Sequence, residues 1–381
     1  MLMKSESPAN FSLAQARGIV KDLFTPSLAI YWTDFLLSLV AGSIGFVLLR
    51  RVFEPWSLGA AVAFVVAGLC YYRAVLFTHE LVHLRDERFR TFSIVWNLLV
   101  GIPFLMPTFT YYTHVEHHMR KNFGTHDDGE YLPLSTQSPI HILIYMCQPL
   151  VFPLIAVLRF LVLTPICWFS PTVRDFVRRR VSSMVMDPSY IRPLPTRQTL
   201  RIFRLQETLC FLWCAGVATV IAAGLVPFGF VVTGYFLAVF ILTLNNLRTL
   251  GAHRYVNADG EMTFLEQLLD SVNYPNRPFL SELTMPVGLR FHALHHLFPS
   301  LPYHNLARAH QRLMAELPAD SPYRLTNSPS LTAALVQLWQ RSVAAGRTAG
   351  QRNAPPHTPP KRGGLGQSLS NLTGGRTVNQ G

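Results

Sequence analysis

His114-Val115-Glu116-His117-His118 reads HxxHH, and the same spacing recurs at His292-Ala293-Leu294-His295-His296. A third cluster, His79-Glu80-Leu81-Val82-His83, reads HxxxH. Positions i, i+3 and i+4 share one face of a helix, so each cluster aims its imidazoles in one direction. With 14 histidines in 381 residues, one HxxHH is expected by chance only about 0.02 times, so two of them beside an HxxxH mark a site. Imidazole is the commonest metal ligand in proteins. Two octahedral ions, each with an open position, need roughly ten protein ligands, whereas one zinc needs three or four. Eight box histidines, with His253 as a ninth, therefore favour a dinuclear centre.

Working outward, the chain around the boxes is apolar. Half of the residues are hydrophobic and 14% are charged, against about 25% in soluble domains. The first 28 residues are mixed and polar, so no cleavable signal is expected. Four crossings are expected at about 30–49, 57–77, 206–226 and 229–247, each about 20 residues long and enough for ~30 Å of hydrocarbon. The net charge of +12 fits cytoplasmic loops enriched in Lys and Arg. No nucleic-acid motif accompanies it, so no nucleic-acid partner is expected.

If all boxes serve one site they lie on one side of the membrane. The apolar stretches 91–110 and 140–169 then cannot be full crossings. The first is expected to be re-entrant or interfacial, the second interfacial or a shallow hairpin. Residues 1–28 are expected to be a cytoplasmic or interfacial segment, with an amphipathic stretch over 9–28 on the membrane surface. Residues 29–345 form one all-α membrane domain, whose cytoplasmic cap (79–204 and 250–345) carries the histidines. Residues 346–381, rich in Gly, Pro, Ser and Arg, are expected to be a disordered tail. The five cysteines form no CxxC and are expected to be small buried hydrophobes.

The boxes HELVH, HVEHH and HALHH resemble those of the membrane-bound fatty acid desaturase and hydroxylase superfamily. The run His295-His296-Leu297-Phe298-Pro299-Ser300 through Leu306 is similar to that family's stretch after its third box. The resemblance spans about residues 29–315. It implies a cytoplasmic diiron site ligated by His79, His83, His114, His117, His118, His292, His295 and His296. His253 resembles an additional ligand of the acyl-CoA members, although Thr249 stands four residues before it where those members have Asn. Asp128, Asn246 and Thr249 are the residues expected to orient ligands. The implied reaction uses O2 to remove hydrogen from an unactivated methylene of a lipid or fatty-acyl substrate. Loss of a second hydrogen then gives a double bond, or delivery of oxygen gives an alcohol. No HPGG haem motif is present, so electrons are expected from a separate ferredoxin, cytochrome b5 or rubredoxin. The membrane expected is a bacterial inner membrane.

Desaturation of an acyl lipid is the leading expectation. Gly124-Thr125-His126-Asp127-Asp128-Gly129-Glu130-Tyr131 instead has the flavour of carotenoid ketolases and related oxygenases, so hydroxylation or ketolation is the alternative. A rival class is an intramembrane zinc protease. HELVH is a literal HExxH with Glu80 as general base, and Asp259 in Asn257-Ala258-Asp259-Gly260 would be the third ligand. That reading leaves both HxxHH boxes unexplained. A metal transporter would place ionisable groups near the middle of its crossings, where this chain has almost none.

Overall fold

The computed structural model describes residues 11–84, 86–258 and 260–353. Among them only helices, turns and isolated bridges occur. Five helical stretches are long and apolar enough to cross a membrane: Leu28–Arg51 (α2), Leu58–His83 (α3), Ile140–Phe169, Arg197–Ala222 (α9) and Gly229–Ala252 (α10). A helix satisfies every interior backbone N–H and C=O within itself, which apolar surroundings require. These helices also show apolar side chains outward. Leu37, Val40, Ile44 and Val47 on α2 are all about half or more exposed, as a lipid-facing surface would be.

α2 and α3 form the tightest pair. A Cβ on Gly45 would sit 3.1 Å from Ala67 Cβ and 3.2 Å from its backbone nitrogen, and one on Gly42 would meet the Tyr71 ring at 2.8 Å. The small residues let the two backbones approach. Ser57 caps α3 by accepting from Ala60 N at 3.1 Å, and Thr196 caps α9 through Thr199 N. Two ionisable side chains within this pair neutralise each other: Arg73 donates two hydrogen bonds of 2.6 Å to Asp34 and a third, of 2.9 Å, to Glu282 of the short helix Pro278–Thr284.

The short elements surround the histidine end. Leu13–Ile19 (α1) comes first. Arg90–Trp96 (α4) follows α3 and continues into a π-helical turn, Asn97–Gly101. It is too short to cross, as expected for 91–110. His114–His117 (α5) is one turn. Ile140–Val157 (α6) and Thr164–Phe169 (α7) are joined by a π segment at Leu158–Leu163. Pro171–Arg180 (α8) leads to α9. After α10 come Phe264–Asp270 (α11), Pro278–Thr284 (α12), His292–Leu297 (α13), Tyr303–Glu316 (α14) and Leu331–Asn353 (α15).

Three expectations change. Residues 140–169 are one continuous helical stretch rather than a hairpin. Pro149 and Pro153 sit inside it, and a helix whose backbone is covered by neighbours tolerates them. The amphipathic face near the N-terminus is covered by protein: Ala16, Val20 and Leu23 are buried, and Arg312 of α14 pairs with Asp22. The tail does not begin at 346, because α15 runs to Asn353. The rest of it, including His357, lies outside the described residues, as do residues 1–10. Of the cysteines, Cys147 is exposed, Cys70 is partly buried and the other three are buried.

Gly45→Leu is expected to force α2 and α3 apart and to destabilise the detergent-solubilised protein by about 1–3 kcal/mol. An unchanged thermal midpoint in a fluorescence melt would contradict this packing.

Candidate metal centre

The ends of α3 and α10 bring the first histidines together. His79 and His83 occupy the last two turns of α3, one turn apart on the same face. His253 follows the last residue of α10. An isolated antiparallel bridge between His253 and Ser271, and another between Asn273 and Phe291, tie the α10 exit to the approach of α13. α13 has no capping side chain of its own. Asn273 Oδ1 accepts from Leu294 N at 3.1 Å and satisfies one of the donors that a helix start leaves open.

All nine histidines meet, in two groups. One holds His79, His83, His114, His118 and His295; the other holds His117, His253, His292 and His296. Within each group one ring nitrogen per residue lies within 4.8 Å of the others. The boxes divide by helical position. The i and i+4 residues of the second box (His114, His118) join the first group and its i+3 residue (His117) the second. In the third box His292 and His296 join the second group and His295 the first. Each HxxHH therefore spans both groups, and the two boxes do so in opposite senses.

Facing Nε2 atoms lie 3.0 Å apart in His114–His118 and His292–His296, 3.1 Å in His118–His295, 3.2 Å in His117–His253 and 2.9 Å in His253–His292. Two nitrogens at about 2.1 Å from one ion and at right angles are about 3.0 Å apart, the observed spacing. On several rings the opposite nitrogen is held by a carboxylate. His117 Nδ1 is 2.8 Å from Asp128, His114 Nδ1 is 2.9 Å from Glu130, and His253 Nδ1 is 3.3 Å from Asp270. A carboxylate takes a proton on Nδ1 and turns the Nε2 lone pair inward. Lone pairs facing one another without a cation repel. Neither ring nitrogen of His79 has a hydrogen-bond partner, and Nδ1 of His118, His292 and His295 is also unpartnered. The donor set fits two metal ions.

Burial, and then the neighbouring imidazoles, hold His114, His118, His292, His295 and His296 well below the ordinary imidazole range. Burial also lowers His253, against the pull of Asp270. His117 is the exception: burial pushes it down, but the Asp128 carboxylate outweighs that and raises it. Neutral rings offer lone pairs to a metal without first losing a proton. Burial pushes the Glu130 carboxyl up to about 7, with His117 pulling the other way.

Of the residues expected to orient ligands, only Asp128 touches a histidine. Asn246 donates to Tyr145 O at 2.9 Å, and Thr249 Oγ1 donates to Asn245 O at 2.9 Å. Glu130 and Asp270 take the orienting role that sequence reading did not give them. Glu130 stands sixteen residues after His114, a separation with no periodic signature, although it belongs to the same acidic loop as Asp128. His126 of that loop is exposed. Glu116 accepts from Tyr190 OH at 2.7 Å. His310 is held by Tyr323 OH at 2.8 Å, and His304 Nε2 accepts from Ser27 N at 3.1 Å. Arg248 is buried at the end of α10, among Tyr72, Tyr111, Tyr145 and Glu130.

The zinc-protease arrangement is not the one formed. Glu80 is bonded away from the histidines: one carboxylate oxygen accepts from Tyr31 OH at 2.5 Å and from Tyr303 N at 3.1 Å, and the other lies 3.9 Å from His79 Nδ1, beyond hydrogen-bond reach. A general base would have to face the metal-bound water. His79 and His83 are joined by three histidines from the other boxes, and Asp259 lies outside the described residues.

A cavity of about 900 Å³ lies beneath the histidines, between α3, α6, α9 and α10. No histidine lines it. It reaches Val75, one turn before His79, and Thr110, whose neighbour Tyr111 stacks on His114 with ring centroids 4.7 Å apart. Phe46, Val226 and Phe230 line it near the α9–α10 turn, and Thr110, Arg180 and Ser182 line it on the histidine side. It is an amphiphile's shape in negative.

The sequence profile of the fatty acid desaturase family matches residues 55–327. The chain belongs to that family. It is also similar to a ceramide hydroxylase of Caulobacter vibrioides (strain NA1000 / CB15N), with 40% identity over 346 residues, covering 90% of this chain and 97% of that protein. The profile begins before α3 and ends after α14, so it takes in all nine histidines.

Asp128→Asn is expected to weaken metal binding about 10–100-fold, because an amide holds the His117 proton less firmly than a carboxylate. Chelator competition on purified protein measures this, and an unchanged affinity would remove Asp128 from the site. Glu80→Gln, in the same assay, is expected to leave the number of bound metals unchanged. Loss of metal in Glu80→Gln would show instead that its carboxylate, 3.9 Å from His79 Nδ1, helps to hold that ligand.

Proposed function

We propose that this membrane protein is an O2-dependent diiron hydroxylase acting on a ceramide-type lipid. The observation that carries the reading is the likeness to the ceramide hydroxylase over nearly the full length of both chains. The desaturase reading of the sequence gives way to its alternative. The boxes are common to both reactions, whereas a full-length relative at 40% identity carries information from the whole cavity.

Iron would be held by His79, His83, His114, His118 and His295 at one position, and by His117, His253, His292 and His296 at the other. Two iron ions so held would supply the activation of O2. The protein's own part is arrangement. Asp128, Glu130 and Asp270 keep protons on Nδ1 and lone pairs inward. Phe123, buried against His117, His253 and His296, keeps water from one flank. Tyr111 stacks on His114 beside Thr110 of the cavity wall and so links the cavity to the histidines. One atom of O2 enters the substrate C–H bond and the other leaves as water, with two electrons delivered one at a time by a separate donor protein of ferredoxin, cytochrome b5 or rubredoxin type and two protons from solvent.

In this reading four of the five long helices cross. α3 and α10 both end at the histidines, so the chain between them returns to the side it left. The continuous stretch Ile140–Phe169 is then the one that does not cross. The histidine side faces the cytoplasm of a bacterial inner membrane, which leaves most Lys and Arg on that side.

Iron-loaded protein given ceramide, O2 and a reducing system is expected to yield a product heavier by one oxygen atom, labelled when the gas is heavy-isotope O2. A product lighter by two hydrogens, with no label, would restore the desaturase reading.

A further inference from the structure

Most polar groups on the wall of the large cavity are satisfied by protein. Tyr71 OH donates to Ser43 Oγ, Tyr235 OH to Leu150 O and Thr110 Oγ1 to Pro107 O. Arg159 is held by Thr164, by Ser182 and by the carboxylate of Glu207. Two groups on the same wall are not. Gln148 Oε1 and Ser183 Oγ are buried atoms with no hydrogen-bond partner. Buried polar groups are normally paired, because leaving one unpaired in apolar surroundings is costly. A hydrocarbon tail offers them nothing.

Ser183 lies on the histidine side of the cavity: the next residue, Met184, donates its N–H to Thr110 O at 2.8 Å. The opposite end is walled by Phe46, Val226 and Phe230. An occupant that satisfies both ends has an apolar tail toward the α9–α10 turn and a polar head toward the histidines. Gln148 Oε1 only accepts, so the head must carry N–H or O–H donors. Ser183 can donate to a carbonyl. A fatty ester has no N–H donor, and a carboxylate would set its charge against Gln148 Oε1.

We infer that Gln148 and Ser183 form the head-group subsite for a neutral long-chain amide lipid. Gln148 Oε1 accepts from the amide N–H or a hydroxyl of the lipid, and the Ser183 hydroxyl donates to its carbonyl. This deepens the ceramide-type reading above and rests on it.

The test is binding of a fluorescent ceramide and of a fluorescent alkane of equal chain length, which carries neither donor nor acceptor, to full-length, metal-loaded protein in nanodiscs, read by polarisation. The native protein is expected to hold the ceramide about tenfold more tightly than the alkane, and Gln148→Leu and Ser183→Ala are each expected to lose most of that preference. Alkane binding and metal content should stay unchanged, and Ser183→Thr, which keeps a hydroxyl, should retain the preference. Metal-loaded variants that keep the native preference, or weaken both probes equally, would overturn the subsite and leave the proposed reaction standing. A native protein with no preference for ceramide would instead count against the ceramide-type substrate itself. If Gln148→Leu does not load metal, Ser183→Ala, the smaller change, decides the matter.

Discussion

Nine imidazoles pack into two groups, and facing Nε2 atoms of seven of them lie 2.9–3.2 Å apart, a spacing that cations between them would stabilise. Burial keeps most of them neutral, so they do not repel as cations, but neutral lone pairs about 3 Å apart still repel unless cations sit between them. This constraint organises the rest of the structure. It requires α3 and α10 to end on the same side, and it requires the chain to be on that side at His114, after 91–110. It also explains three carboxylates at the histidine end of the protein. Asp128, Glu130 and Asp270 each sit behind a histidine, where they fix the tautomer that turns Nε2 inward.

Helical geometry then divides the ligands. On a helix, i and i+4 residues stand one above the other and i+3 is rotated to the side. In an HxxHH box the outer pair can grip one ion while the third histidine reaches its neighbour. The two boxes do this in opposite senses, so each ion position takes a pair from one box and a single residue from the other. His79 and His83 complete the first position, and His253 the second. The pattern is therefore a bridging device, which a set of independent HxxxH pairs would not be.

The histidine boxes were legible in the sequence because their spacing is local: three residues within five positions, on one helical turn. Four of the apolar helices were legible for the same reason, although α9 begins at Arg197 against an expected 206 and α3 runs on to His83 against an expected 77. What the sequence did not show is what depends on distance along the chain. Glu130 and Asp270 reach their histidines through loop paths that no periodicity encodes. Residues 140–169 were read as interfacial or a shallow hairpin because all boxes must share one side, yet they form one continuous helical stretch. The cavity and its two unpaired polar atoms arise from four helices that only the fold brings together. Glu80, which an HExxH motif presents as a catalytic base, is turned away by Tyr31 and by the backbone of Tyr303, 49 and 223 residues distant in sequence.

The division of nine histidines between two ion positions is the central claim, and anaerobic titration of metal-free protein with ferrous iron tests it most directly. The native chain is expected to bind two equivalents. His292→Ala, which removes a ligand from the second position only, is expected to bind close to one. A native stoichiometry of one, unaffected by His292→Ala and abolished by His79→Ala, would contradict the account.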